Sequence, residues 1–276
     1  MPTNKHNHPV SATFAPGLFT GRTVLITGGA GTINRGIGHG FASLGASVAL
    51  LGRTPATLED AARELRTHGG PVLTLVGDVE KIDTLEAAFQ RCESELGPID
   101  VLILGAAANF PAPAEQMSAS GFSKVIDVDL KGSFNAARAA FRQLKKTRGT
   151  VIFVSATNSL MPFAFQCHVG AAKAGMDSLM RGLALEWGPH GIRCNSVLPG
   201  PIEDTEGLGR LLTSEDVETL RAYVPIGRFG TVGDVAAVAV FLASPAASLL
   251  TGVALIADGG QAFSGSAMVA EVMANP

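Results

Sequence analysis

The stretch LITGGAGTINRGIGHG (residues 25–40) decides the fold. An apolar run enters a cluster of glycines, and a segment of small residues follows. That order reads as strand, tight turn, helix, with the helix running from about Gly36 to Leu44. Small residues let a backbone approach a pyrophosphate closely, and a helix N-terminus attracts its negative charge. The reading sets Gly28, Gly31, Thr32, Ile33, Gly36, Ile37 and Gly38 against a dinucleotide.

The pattern repeats along the chain. Apolar runs recur at RTVLITGG, SVALLGR, PVLTLVGDV, IDVLILGAAANF, GTVIFVSAT, IRCNSVLPG and GVALIADGG. Helical segments separate them, including one long helix over residues 118–146. Alternating strands and helices predict an α/β fold: a Rossmann-type, doubly wound parallel sheet of seven strands with helices on both faces. No shift in composition divides the chain. We expect a flexible segment at 1–20, one catalytic domain over 21–262 and a tail at 263–276.

Composition narrows the function. Apolar residues make up 46% of the 276, enough for a sizeable core. Lys and Arg number 21 against 24 Asp and Glu, and the basic residues are scattered, which argues against nucleic acid as a partner. Cys92, Cys167 and Cys194 form no C-x-x-C pair and stand with no histidine cluster, so neither a disulfide framework nor a metal site is expected. The N-terminus lacks an apolar signal core. The longest apolar stretch, residues 235–250, is broken by Pro245, so no membrane insertion is expected.

The ends of the later strands refine the cofactor. An acid after the second strand would bind the free ribose hydroxyls of NAD. This chain has LLGRTP, and Arg53 suits a 2′-phosphate, with Arg35 as a helper, so NADPH/NADP+ is expected. Asp78 and Val79 after the third strand flank an adenine. Ala106 and Ala107 after the fourth lie against the cofactor.

This ordered set, TGGAGTINRGIG, GDV, GAAAN, Lys173, PGPI and ADGG, resembles the short-chain dehydrogenase/reductase superfamily from about Arg22 to Gly260. More narrowly, GAAANF, VIDVDLKGSFN, FQCHVGAAKAG and IRCNSVLPGPIEDTEGLGRL are similar to peroxisomal-type 2,4-dienoyl-CoA reductases, especially fungal ones. The resemblance places Lys173 as the superfamily's lysine and Asp129 in place of its asparagine. Val169 stands where its tyrosine falls and Ala156 where its serine falls. It implies poor reduction of simple carbonyls, because valine has no proton to transfer.

The resemblance also implies roles. Lys173 holds the nicotinamide ribose, Asp129 orders a water with it, and Asn109 donates to a thioester oxygen. Phe110, Ser155, Thr157, Gln166 and His168 are candidates to meet substrate, and Phe163 and Phe165 to line an acyl slot. Pro199, Gly200 and Ile202 pack on the cofactor. A lid follows at about 203–228, and Arg210, Arg221 and Arg228 are candidates for CoA phosphates. The substrate implied is of the acyl-CoA type, the assembly a homotetramer with a dimer as alternative. The compartment implied is the peroxisome, although the chain ends in VMANP rather than a Ser-Lys-Leu-like signal, with the cytoplasm as alternative. Two other readings stay open: a reductase of conjugated, ketone or imine intermediates in fungal secondary metabolism, and a non-catalytic NADP(H)-binding scaffold.

Overall fold

β1 (Thr23–Thr27) is buried along its whole length, which a strand can be only where helices cover both its faces. In the computed structural model, which describes residues 9–203, 205 and 219–266, it is an interior strand of one sheet. The partners are β2 (Ser47–Gly52), β3 (Val72–Val76), β4 (Ile99–Leu104), β5 (Thr150–Val154), β6 (Arg193–Pro199) and β7 (Ala254–Ala257). All pair in parallel, in the order β3-β2-β1-β4-β5-β6-β7. The expected seven-stranded, doubly wound sheet is the observed one.

Strand alternation sorts the core into two layers. Val24 and Ile26 of β1, with Ile152 and Val154 of β5, face α2 (Thr32–Ser43), α3 (Pro55–Arg66) and α8 (Val232–Ala243). Leu25, Val151 and Phe153 face α4 (Ile82–Leu96), α6 (Gly132–Thr147) and α7 (Cys167–Trp187).

Three details differ from expectation. α2 begins at Thr32, one turn earlier than predicted, so Gly36, Ile37 and Gly38 lie inside the helix. Gly36 faces α8, where a Cβ would stand 2.6 Å from that of Val232, and Gly38 faces Leu65 at 2.8 Å. These glycines permit helix packing, and Ile37 is core. Second, order begins within the segment expected to be flexible. A short helix α1 (Pro9–Thr13) seats Val10 in the first core layer, and Phe19 is buried beside Phe41. Third, the long helix is three pieces: α5 (Ala119–Val125), a π-helical turn (Ile126–Lys131) and α6. Among the described residues no helix is long and apolar enough to cross a membrane.

Candidate active site

The chain leaves β1 toward β2 on one side and β4 toward β5 on the other. Between β1 and β4 the strand order reverses, and a crevice opens beyond the strand ends. A cleft of about 550 Å³ occupies that place. Gly28, with φ +64°, turns the backbone there, and a Cβ would lie 2.8 Å from the Ala106 Cα. Two turns therefore approach closely, which glycine alone allows.

Most of the sequence-predicted cofactor residues line this cleft: Gly28, Gly31, Thr32, Ile33, Arg53, Asp78, Val79, Ala106, Ala107 and Lys173. Arg53 is exposed at its rim and forms no hydrogen bond or ion pair with any described residue. Arg35 is not at the cleft; its guanidinium pairs with Glu64 at 3.2 Å. Pro199, Gly200 and Ile202 pack elsewhere. Gly200 backs onto Asp258, and Ile202 is buried in a bridge to Gly230.

The residues fit a polar ligand of dinucleotide size. Three buried oxygens from cleft-lining residues, Asn34 Oδ1, Asp129 Oδ2 and Ser155 Oγ, have no hydrogen bond within the protein. Each such group costs about 1–3 kcal/mol unless a ligand or water meets it. Small turns for a diphosphate, a helix N-terminus and a free arginine at the rim complete an NAD(P)-type site.

Asp129 and Lys173 meet at the inner end. Asp129 is fully buried on the π turn, and Lys173 is nearly so on α7. Asp129 Oδ1 accepts from the Ala108 N–H at 2.7 Å. Lys173 Nζ stands 3.2 Å from Oδ2, but donates to Val154 O at 3.1 Å instead of Oδ2. The pair is in ion-pair contact while one carboxylate oxygen keeps its acceptor capacity. Asp177, one helical turn beyond Lys173, is also buried with neither oxygen hydrogen-bonded.

The substrate candidates divide. Asn109 and Ser155 line the cleft. Thr157 is buried in the turn after β5 and does not reach it. Gln166 accepts from Asn158 Nδ2 at 2.6 Å, beside a separate surface hollow that Phe163 also lines. His168 is fully buried against the ring of the half-exposed Phe110, 4.7 Å between centroids, and neither lines the cleft. Phe165 is exposed, and its carbonyl accepts from Ala112 N–H at 2.9 Å. Val169 is buried with Val125 and Ala172. Arg221 is held near Glu203 and over the Phe229 ring, and Arg228 pairs with Asp234, so neither is a free cation for CoA. Arg210 and most of the expected lid lie outside the described residues, though Thr205 lines the cleft.

Sequence reasoning missed Asn34. Its side chain bridges the turns after β1 and β4. The available signal was its place three residues after Gly31, in the first turn of a helix aimed at the cleft.

Comparison with known proteins agrees with this geometry. Residues 28–262 match the family model described as enoyl-(acyl carrier protein) reductase. The peroxisomal 2,4-dienoyl-CoA reductase SPS19 of Saccharomyces cerevisiae, named as producing the (3E)-enoyl-CoA, is 43% identical over 89% of this chain and 85% of its own. A probable 2,4-dienoyl-CoA reductase of Bacillus subtilis, named as producing the (2E)-enoyl-CoA, is 38% identical over 87% and 96%. Among solved structures, the citronellol catabolism dehydrogenase of Pseudomonas aeruginosa superposes with a TM-score of 0.81 at 35% identity, over 91% and 98%. The fold, the cleft and these relatives define an NAD(P)-binding oxidoreductase, and the chain belongs to the short-chain dehydrogenase/reductase superfamily. Within it, the chain is closely related to the peroxisomal 2,4-dienoyl-CoA reductases of several species.

Proposed function

We propose that this protein is an NADPH-dependent 2,4-dienoyl-CoA reductase whose product is the 3-enoyl-CoA. The observation that carries the reading is the buried Asp129–Lys173 pair at the inner end of a dinucleotide cleft, with valine where a phenol would stand. When bound, NADPH supplies a hydride, which adds to the δ carbon of the conjugated thioester. The electron pair moves along the chain toward the thioester oxygen. A proton then joins the α carbon, leaving the double bond between the β and γ carbons.

The chain's residues act on the rest. Lys173 holds a positive field beside the growing negative charge and a hydrogen bond toward the cofactor ribose. Asp129 Oδ2 has acceptor capacity for a water that Lys173 helps to orient; that water gives its other proton to the α carbon, the Lys173 charge stabilises the hydroxide left behind, and bulk solvent restores the proton. Asn109, exposed on the cleft wall, donates its amide to the thioester oxygen. Ser155 Oγ meets substrate or that water. Among the described residues no tyrosine lines the cleft, which suits a reaction whose proton ends on carbon.

Arg53 favours NADPH over NADH by pairing with the 2′-phosphate. The peroxisome named for the eukaryotic relatives is the compartment proposed. A homotetramer is the assembly proposed, and the exposed Leu185 and Leu249 supply apolar surface for contacts between copies. Isotopes test the reaction. With hydride-labelled NADPD in ordinary water, deuterium should appear at the δ carbon; with NADPH in heavy water, at the α carbon. A saturated bond between the δ and γ carbons with a 2-enoyl product would contradict the assigned protonation site.

A further inference from the structure

Asn34 is nine-tenths buried at the start of α2, and its amide nitrogen serves two turns that are far apart in sequence. Nδ2 donates to Gly28 O at 2.9 Å and to Gly105 O at 2.8 Å, with Thr27 O further off at 3.4 Å. Thr27 Oγ1 accepts from the N–H groups of Gly105 and Ala106 at 3.1 and 3.2 Å. The turn after β4 is thus tied to the turn after β1 through both its N–H and its C=O groups. Gly105 is built around the amide: a Cβ there would lie 2.0 Å from Asn34 Oδ1, and Asn34 supplies the three nearest atoms.

These two turns form facing walls of the cleft, and nothing else in the amide's bonding serves the helix that carries it. We propose that Asn34 is a positioning residue for the cofactor: its Nδ2 sets the separation of the two turns and so the affinity for NADPH. The proposal rests on the NADPH reading of the cleft. Asn34 acts through the backbone at Gly28 and Gly105; Arg53, at the rim, acts on the phosphate directly. A displacement of about 1 Å in such a frame is enough to change binding and reactivity strongly.

The test compares Asn34→Ala and Asn34→Asp with the wild type. The aspartate keeps the shape of the side chain but turns the donor into an oxygen facing carbonyl oxygens. NADPH dissociation constants are read from cofactor fluorescence well below the unfolding midpoint, and thermal midpoints from calorimetry. In both variants the ordering of the two freed turns falls on the binding step, so NADPH should bind about tenfold more weakly. Amide exchange at residues 105–108 should also quicken. KM for NADPH should rise much more than kcat falls. If either variant does not fold, Asn34→Ser provides the same readouts. NADPH affinity within twofold of wild type, whatever the thermal midpoint, would overturn the proposal and leave Asn34 a structural residue. Wild-type protein that fails to bind NADPH would instead overturn the cofactor reading itself.

Discussion

Asp129 and Lys173 have to be judged together, because each makes the other's burial tolerable. A lone buried charge is costly, and removing one partner from a buried pair leaves the other uncompensated. Asp129→Asn keeps the shape and the neighbouring packing. General acid–base groups contribute about 10²–10⁴-fold, so kcat for dienoyl-CoA reduction should fall by about that factor. NADPH binding by Asp129→Asn should stay near wild type, and fluorescence titration checks it. Lys173→Ala should lose both activity and part of the cofactor affinity. Equal kcat in Asp129→Asn would remove the carboxylate from the mechanism. Both residues were legible only through the family resemblance that DVDLKG and GAAKAG carry; their burial and their contact with each other appear on folding. The glycines were only half legible. Gly28 and Gly31 line the cleft while Gly36 and Gly38 pack helices, and a glycine used for close helix packing looks identical in sequence to one that admits a phosphate. Arg35 was misplaced for a related reason: its partner Glu64 is 29 positions away and appears only on folding.

The element that aims Asp129 is the π turn between α5 and α6. One extra residue in a helical turn rotates the downstream helix, and such turns gather at functional sites. Here the turn brings Oδ1 under the Ala108 N–H, and the Ser133 hydroxyl donates back to the Asp129 carbonyl at 2.5 Å. Gly132 begins α6 at the point where the helix passes Val79, itself a wall of the cleft; a Cβ would lie 2.6 Å from Val79 Cγ2. Gly132→Ala should therefore force α6 and Val79 apart. Overpacking of this kind costs about 1–3 kcal/mol, so the thermal midpoint should drop and NADPH affinity weaken with it. An unchanged midpoint and affinity would show that α6 has slack there. The sequence read as one long helical segment over 118–146 and did not show the change of pitch, because each side of the turn has ordinary helical spacing and the offset between them appears only on folding.

For the whole molecule, the seven strands and the doubly wound parallel sheet were readable from the alternating apolar runs, while the order β3-β2-β1-β4-β5-β6-β7 came with the structure. The contacts that tune stability were not readable either. His39 Nδ1 and His68 Nε2 meet at 3.0 Å, with Glu64 and Arg35 beside His39. Burial lowers both imidazoles below the usual histidine value; Glu64 opposes this at His39, and His39 adds to it at His68. Unfolded chains then take up protons near pH 6.5 that the folded chain refuses until lower pH. Stability is thus full above about pH 6.5 and declines as pH falls from there through the lowered folded values. Thermal midpoints measured from pH 7.5 to pH 5 should fall, and His68→Gln should flatten the decline. A midpoint that rises on acidification would contradict the shifts.

The most direct measurement is the oxidation of reduced cofactor by purified protein. NADPH with 2,4-hexadienoyl-CoA is compared with NADH and with the mono-enoyl crotonyl-CoA. The account predicts loss of reduced-cofactor absorbance with the dienoyl thioester, faster with NADPH than with NADH, and none with crotonyl-CoA. NADPH that binds but is not oxidised by the dienoyl thioester would contradict it.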